Sequence, residues 1–431
     1  MDHILLRARK DPFTVASPEA TLVRNLIAEN AGNLIFSSAS HRILGTAGTR
    51  ITVDRFRAGP GDADRINERY SAYVVPLANA FRLGFEPTLV RMTNLIRRLR
   101  IPVVILGVGA QANVRNDVDR LRPIDRSVRE FVAAVLDRSP SIGVRGEMTH
   151  DYVRGLGFRD VEVIGCPSMF MNGADMRVDK RRPSLDSDAR IAINVSPYVK
   201  AMGPVVTRHE ERYQNLTYIP QDLDTLAMLL WGDAGSDVAA DDPRPIHLAH
   251  PLFRDDKVRF FVDPTPWIDF LRGMDFSFGT RIHGNIAALI AGTPAVVLAH
   301  DSRTLELARY FEIPHRLMRD VGPDVDAAEL YEAADFGPLN DGHAARLATF
   351  TAFLDRHGLD HIFRSAAPDP SFGERVAATD WPAAVTVASR VAPHGLRGRA
   401  RRVVRRIRRL RRVPAVRRLR TRLARGLARG G

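Results

Sequence analysis

Arg281 and His283, one residue apart, stand where a strand hands over to a helix. A short apolar run ends at Gly279, helical periodicity begins at about Ile282, and a second apolar run over 295–299 follows Pro294. The stretch from Phe276 to His300 therefore reads as strand–helix–strand. In an open α/β sheet the carboxyl end of a strand faces the ligand crevice. A helix start adds unpaired N–H groups and a positive dipole end, and an arginine fork beside them suits phosphate or carboxylate. His283, about three residues into its helix, is expected to lose basicity to the dipole. A neutral imidazole there would take a proton from a hydroxyl, whereas a bound phosphate would restore its basicity, so acid and base roles both stay open. The pair also fits an interdomain ion pair and a helix cap.

Other candidates are dispersed. Arg145 ends a short apolar run and precedes Gly146, at a strand end in the first half. Gly107 and Gly109, in Gly107-Val-Gly-Ala-Gln111, follow another such run. Lacking side chains, they would let backbone come close to a ligand, and the Gln111 amide beside them suits ligand oxygens; a tight turn explains the segment equally well. The motif is not a full dinucleotide fingerprint. Asn30, Gly32 and Asn33 precede a helical stripe, where capping explains the asparagines as well as ligand binding does. His247 and His250 alternate along an expected strand, which sets His250 near its carboxyl end and lets it line the cleft. Cys166, between Gly165 and Pro167, has no Cys or His at metal-ligand spacing and reads as a packed thiol. The sequence contains no metal-ligand cluster motif and no Gly-x-Ser-x-Gly nucleophile motif.

Helices and strands alternate along the chain to position these groups. Helical stripes are expected over 18–31, 34–44, 89–99, 128–136 and 146–156, with strands over 101–108, 141–144 and 161–164. The polar, proline-containing segment 179–188 reads as a linker. Beyond it, strands are expected over 190–195, 246–249, 260–262, 276–278 and 295–298, and helices over 223–231, 266–274, 282–291, 304–311 and 344–357. Such alternation predicts parallel sheets covered on both faces. The simplest assembly is α/β, two Rossmann-like domains (1–178 and 189–363) facing across a cleft in a GT-B-like way, followed by 364–431 as linker and basic tail.

The 431 residues suffice for two domains with buried cores. No apolar run approaches a membrane span, residues 1–30 show no signal-peptide pattern, and a lone cysteine suits a reducing compartment; a cytoplasmic protein is expected. Net charge is +13, but residues 397–431 hold 16 Arg and no acid. Subtracting those charges leaves −3 for the other 396 residues, so the basicity belongs to a tail and nucleic acid is not the expected partner. Val403, Val404, Ile407 and Leu410, then Val416, Leu419, Leu423 and Leu427, recur at helical spacing among the arginines. This pattern predicts an interfacial helix on an anionic membrane surface, at about 1 kcal/mol per Arg, with a disordered solubilising tail as the alternative.

Four segments in order resemble the polysaccharide pyruvyl transferase family, enzymes that move the pyruvyl group of phosphoenolpyruvate onto a sugar as a ketal. Asn30-Ala-Gly-Asn-Leu-Ile-Phe36 is similar to the family's N-terminal loop, and Gly107-Val-Gly-Ala-Gln111 to its glycine-rich turn. Val144-Arg145-Gly-Glu-Met-Thr149 with Val163-Ile-Gly-Cys-Pro-Ser168 resembles its central block. Gly279-Thr-Arg281-Ile-His283, with Gly292-Thr-Pro294 and Asp301, resembles its Arg-x-His block. The resemblance implies that Arg281 and His283 contact phosphoenolpyruvate as catalytic residues and that Arg145 is a second substrate arginine. Substrate binding is further expected at Gly107, Gly109, Gln111, Asn30, Asn33 and Thr280 within the resembling segments, and at His250 from its expected place near a strand end. Cys166 departs from the pattern, because many members carry Asp there. Glu147 and His250 are the candidates for a second proton carrier. The scheme calls for no metal or cofactor beyond phosphoenolpyruvate as co-substrate; the acceptor would be an oligosaccharide or a lipid-linked sugar at the inner membrane face. A GT-B glycosyltransferase using a nucleotide sugar and a non-catalytic membrane scaffold are the alternatives, although a scaffold has no need of both Arg281 and His283.

Overall fold

Val103–Leu106 is a run of Val, Ile and Leu with every residue buried, a pattern that only a sheet covered on both faces accommodates. The computed structural model describes residues 2–112, 118–232, 241–364 and 371–390. Within them, β1 (Asp2–Leu6), β2 (Thr49–Val53), β3 (Ala72–Pro76) and β4 (Val103–Leu106) form one parallel sheet in the order β2-β1-β3-β4. A parallel pair, β5 (Ile142–Val144) and β6 (Val161–Val163), joins its edge through a bridge between Val108 and Val144. The second sheet holds β7 (Ile191–Asn194), β8 (Leu216–Tyr218), β9 (Phe276–Gly279), β10 (Ala295–Ala299) and β11 (His315–Leu317), all parallel, in the order β11-β10-β9-β7-β8.

Both sheets thus run second-first-third-fourth-fifth by position in their own half. That is the doubly wound order whose ligand crevice opens at the carboxyl ends of the first and third strands. In the second half those strands are β7 and β9, and the residues beyond them are Val195 and Ser196 on one side, Thr280 and Arg281 on the other. The fold is α/β with two Rossmann-like units, GT-B-like, as the alternation predicts. One buried apolar cluster runs from Ile4 and Ile35 in the first half to Phe278 and Leu298 in the second, so core packing fixes the two halves against each other. A second cluster, including Tyr73, Val75, Phe131 and Val144, lies within the first half. Among the described residues no helix is long and apolar enough to cross a membrane.

Several local expectations need correction. The helix expected over 18–31 stops at Arg24, because Asn25 turns left-handed and caps it, and Ala28 and Glu29 also take positive φ. The strand expected over 246–249 is a turn closed by the His250 amide on the His247 carbonyl, with Pro245 before it and Pro251 opening a short helix after it. The strand expected over 260–262 makes only an isolated bridge from Phe260 to Val385, and Pro264 follows at once. The strands β1, β2, β3, β8 and β11, five residues or fewer each, are not predicted by the periodicity. The basic segment 397–431 lies outside the described residues.

Candidate active site

Asn194, at the end of β7, builds the turn that carries Arg281. Its carbonyl accepts from the Thr280 amide at 3.0 Å and its Oδ1 from the Arg281 amide at 2.8 Å. Its Nδ2 donates to Asn285 Oδ1 at 2.8 Å, and Asn285 in turn donates to the Gly279 carbonyl at 3.0 Å. Arg281 is thereby the N-cap residue of the helix Ile282–Ile290. Its Nε donates to the Val195 carbonyl, and its Nη2 lies 3.7 Å from Asp222 Oδ2. Thr280 is fully buried, and its hydroxyl accepts from the Ser196 amide at 2.8 Å, so it holds the two strand ends together.

His283 is the second residue of that helix and is buried against the first half, its Cβ packed over Gly32 and its ring beside Phe36. Its Nε2 lies 3.7 Å from Cys166 Sγ; Nδ1 has no partner among the described residues. Burial first, then the Arg145 and Arg303 guanidiniums, push the imidazole down to about 3. The expected loss of basicity is present, but its causes are desolvation and two arginines. The ring is neutral at pH 7.

Arg145 reaches this point from the first half. Its amide donates to the Val108 carbonyl, which places it just past β5, and its Nε donates to the Gly107 carbonyl at 2.9 Å. Although 3% exposed, it has no carboxylate in hydrogen-bond contact among the described residues. Burial lowers its pKa, with Cys166 and Glu306 opposing and Arg303 adding to the effect. A buried guanidinium without such a partner is costly unless an anion joins it.

The glycine-rich turn serves that arginine. A Cβ on Gly109 would meet Arg145 Cδ at 2.9 Å. Gly107 has φ +68°, and a Cβ there would meet the Gly165 carbonyl at 2.4 Å. The close approach expected of a ligand at these glycines is made by Arg145 and by the Gly165–Cys166 backbone. Gln111 accepts at Oε1 from Asn79 at 3.0 Å. Asn30 caps through Oδ1 to the Gly32 amide, and Asn33 donates to the Ala28 carbonyl, so both hold the turn before the helix Gly32–Leu44. His250 is an N-cap residue; Nδ1 accepts from the Leu252 amide and Nε2 lies 3.2 Å from the Pro243 carbonyl. Both its nitrogens are engaged in the 241–254 segment, which removes the strand-end geometry expected of it. Glu147 is exposed at the start of its helix.

Four further residues join the seam. Past β10, Arg303 donates to Asp301 Oδ2 from Nε at 2.6 Å and to the Tyr198 hydroxyl at 3.1 Å, while His300 Nε2 lies 3.1 Å from that hydroxyl. Applied to β10, the strand-end argument used for Arg281 would have found His300 and Arg303. Glu306 had no sequence signal. It is 6% exposed and accepts from the Thr149 amide and hydroxyl at 2.7 and 3.0 Å, across the two halves. Burial pushes its carboxyl up to about 7, against those hydrogen bonds and Arg145. A separate groove, lined by Val296, Arg309, Glu312 and His315, contains none of these groups.

A family model described as polysaccharide pyruvyl transferase matches residues 30–302, a span that includes Asn30, Arg145, Cys166, Arg281 and His283. No curated protein matches the chain significantly. The UDP-GlcNAc 2-epimerase of Methanocaldococcus jannaschii, solved with UDP-GlcNAc and UDP, is 10% identical, with 81% of this chain and 99% of that one covered, at a TM-score of 0.42. The UDP-GlcNAc 2-epimerase from Neisseria meningitidis, bound to UDP-GlcNAc, is 11% identical, with 82% and 99% covered and a TM-score of 0.43. The glycotransferase of kitacinnamycin is 13% identical, with 83% and 99% covered and a TM-score of 0.36. At these scores the likenesses add no argument about ligand or activity.

Proposed function

Because the chain belongs to the polysaccharide pyruvyl transferase family, we propose that it transfers the pyruvyl group of phosphoenolpyruvate, as a ketal, to a sugar of a cell-surface polysaccharide or its lipid-linked precursor. The observation that supports this most is the convergence of Arg145 and His283 from different halves on one buried seam, with Arg303 acting on both.

In the proposed reaction a proton adds to the methylene carbon of phosphoenolpyruvate, leaving positive character at C2. One sugar hydroxyl forms a C–O bond there and gives up its proton. A second hydroxyl then displaces phosphate at C2, which breaks the C2–O bond to phosphate and closes the ring. Of the two protons the hydroxyls release, one replaces the proton taken by the methylene and one leaves with phosphate or solvent. Arg145 and Arg281 are assigned to the carboxylate and phosphate, where fixed donors act by positioning and electrostatics. His283, neutral in the unliganded protein, is assigned as the base for a hydroxyl through its free Nδ1. Glu306, with its carboxyl near 7, replaces Glu147 and His250 as the candidate second proton carrier.

Calorimetry with phosphoenolpyruvate, beside Arg281→Ala, tests the reading. Binding that the variant loses supports it. Saturable binding of a nucleoside diphosphate, with none of phosphoenolpyruvate even when oligosaccharide is present, would instead favour a nucleotide-sugar glycosyltransferase. Residues 397–431, read from sequence, are assigned to an anionic membrane surface, which would hold a cytoplasmic enzyme near a lipid-linked acceptor. Deleting them should release the protein from anionic vesicles at low salt; continued co-sedimentation would refute that assignment.

A further inference from the structure

Tyr198 is 60% exposed, yet its hydroxyl is tied down. Arg303 Nη2 donates to it at 3.1 Å and His300 Nε2 lies 3.1 Å away, with the His300 ring nearly edge-on at a centroid distance of 5.5 Å. The phenol is held in one orientation with an open face. An exposed aromatic ring fixed in this way is suited to pack against a flat apolar ligand surface while the polar rim takes hydrogen bonds.

The first half brings a cation to the same place. The Gly109 amide donates to the Ala78 carbonyl at 2.7 Å, the Phe81 amide to the Gly109 carbonyl at 3.2 Å, and the Gln111 amide to the Phe81 carbonyl at 3.0 Å. Ala112 donates to Ser302 Oγ at 2.8 Å, and the Ser302 amide to the Ala112 carbonyl at 3.3 Å. This chain of bonds runs from the loop of Arg82 and the exposed Leu83 to Ser302, the neighbour of Arg303. Desolvation of its guanidinium first, then Arg303, holds Arg82 below its usual range, with Tyr198 opposing. It has no carboxylate partner among the described residues, and its recorded ring contact is Phe85 at 5.9 Å. On the other side, burial first, opposed by Asp301 and aided by Arg303 and Arg281, lowers the His300 imidazole, so the patch adjoins the Arg281 corner.

We propose that Tyr198, Arg82, Arg303 and His300 form the acceptor subsite, in which a pyranose ring stacks on Tyr198 and an anionic substituent of that sugar, a phosphate, lies between Arg82 and Arg303. The apolar C–H face of a pyranose matches the ring; Arg82, without a carboxylate partner among the described residues, supplies the main charge for the anion, and Arg303, whose Nε and Nη2 bond Asp301, offers Nη1 beside it. Only the word acceptor rests on the pyruvyl-transfer reading; the ligand chemistry does not.

The test is calorimetry of the full chain with glucose, galactose and mannose 1-phosphates, the matching methyl glycosides, and inorganic phosphate. At least one hexose 1-phosphate is expected to bind more tightly than inorganic phosphate. Tyr198→Ala should weaken it by about tenfold, and Arg82→Ala should abolish the preference for the phosphorylated sugar over the methyl glycoside. Both side chains are exposed, so the variants should fold, which a thermal melt verifies. Absence of hexose-phosphate binding in the wild type, or binding indifferent to both substitutions, overturns the subsite. Phosphoenolpyruvate titrated into the wild type keeps the two readings apart. Tyr198-dependent hexose-phosphate binding in a protein that ignores phosphoenolpyruvate keeps the subsite and removes the donor. The converse pattern removes the subsite alone.

Discussion

Cys166 Sγ lies 3.7 Å from His283 Nε2, inside the same buried cluster as Arg145. The two residues are 117 positions apart in sequence. No acidic group opposes burial and the two arginines at the imidazole, which is why the ring stays uncharged.

Replacing Cys166 with aspartate should reverse that balance. A carboxylate at this contact favours the imidazolium, so the His283 pKa should rise from about 3 by roughly two units or more. If neutral His283 is the base, the acid limb of kcat/KM moves to higher pH in Cys166→Asp and stays in place in Cys166→Ala. An unmoved limb in the aspartate variant would show that the thiol contact does not set the protonation of His283.

Arg145 is buried with a carbonyl as its only hydrogen-bond partner for the side chain among the described residues. Arg145→Ala should weaken phosphoenolpyruvate by roughly tenfold to a hundredfold, the range for a hydrogen bond to a charged group. Arg145→Lys should fall between, because it keeps the charge and loses the fork. Calorimetry decides; equal affinity in all three proteins would take Arg145 out of the site.

The two glycines of the first half should fail differently. Gly107→Ala puts a Cβ on a carbonyl at positive φ and should cost roughly 3 kcal/mol of stability. Gly109→Ala meets Arg145 Cδ rather than backbone and needs no positive φ, so it should shift the guanidinium and weaken phosphoenolpyruvate at a smaller cost in stability. Denaturant melts and calorimetry on the two variants would separate these outcomes, and equal loss of stability in both would count against the distinction.

Glu306 makes stability depend on pH. Its folded pKa, about 7, lies above the ordinary 4.5, so the folded protein holds the proton more tightly between those values. The associated stability is present in full below about pH 4.5 and is lost as pH rises through 7. Glu306→Gln should match the wild type at pH 5 and exceed it at pH 8, by up to about 3 kcal/mol. Chemical denaturation at the two pH values measures the difference; a gap that does not grow with pH would mean the carboxyl is not perturbed by burial.

By itself the sequence determined the α/β class, the strand–helix unit around Arg281 and His283, and the strand end at Arg145. Periodicity and strand-end chemistry are local properties, readable within about a dozen residues. Short strands such as Leu216–Tyr218 and His315–Leu317 escaped because three residues hold too little pattern. His250 was misplaced because the short, largely apolar run over 246–249 resembles a strand, while the prolines around it enforce a turn. Only the tertiary structure decided that the Gly107–Gly109 turn wraps Arg145, that Cys166 faces His283, and that Glu306 grips Thr149 across the seam. These pairings join residues far apart in the chain, and their pKa shifts arise from burial and from charges on the other half. Neither quantity exists until both halves have packed together.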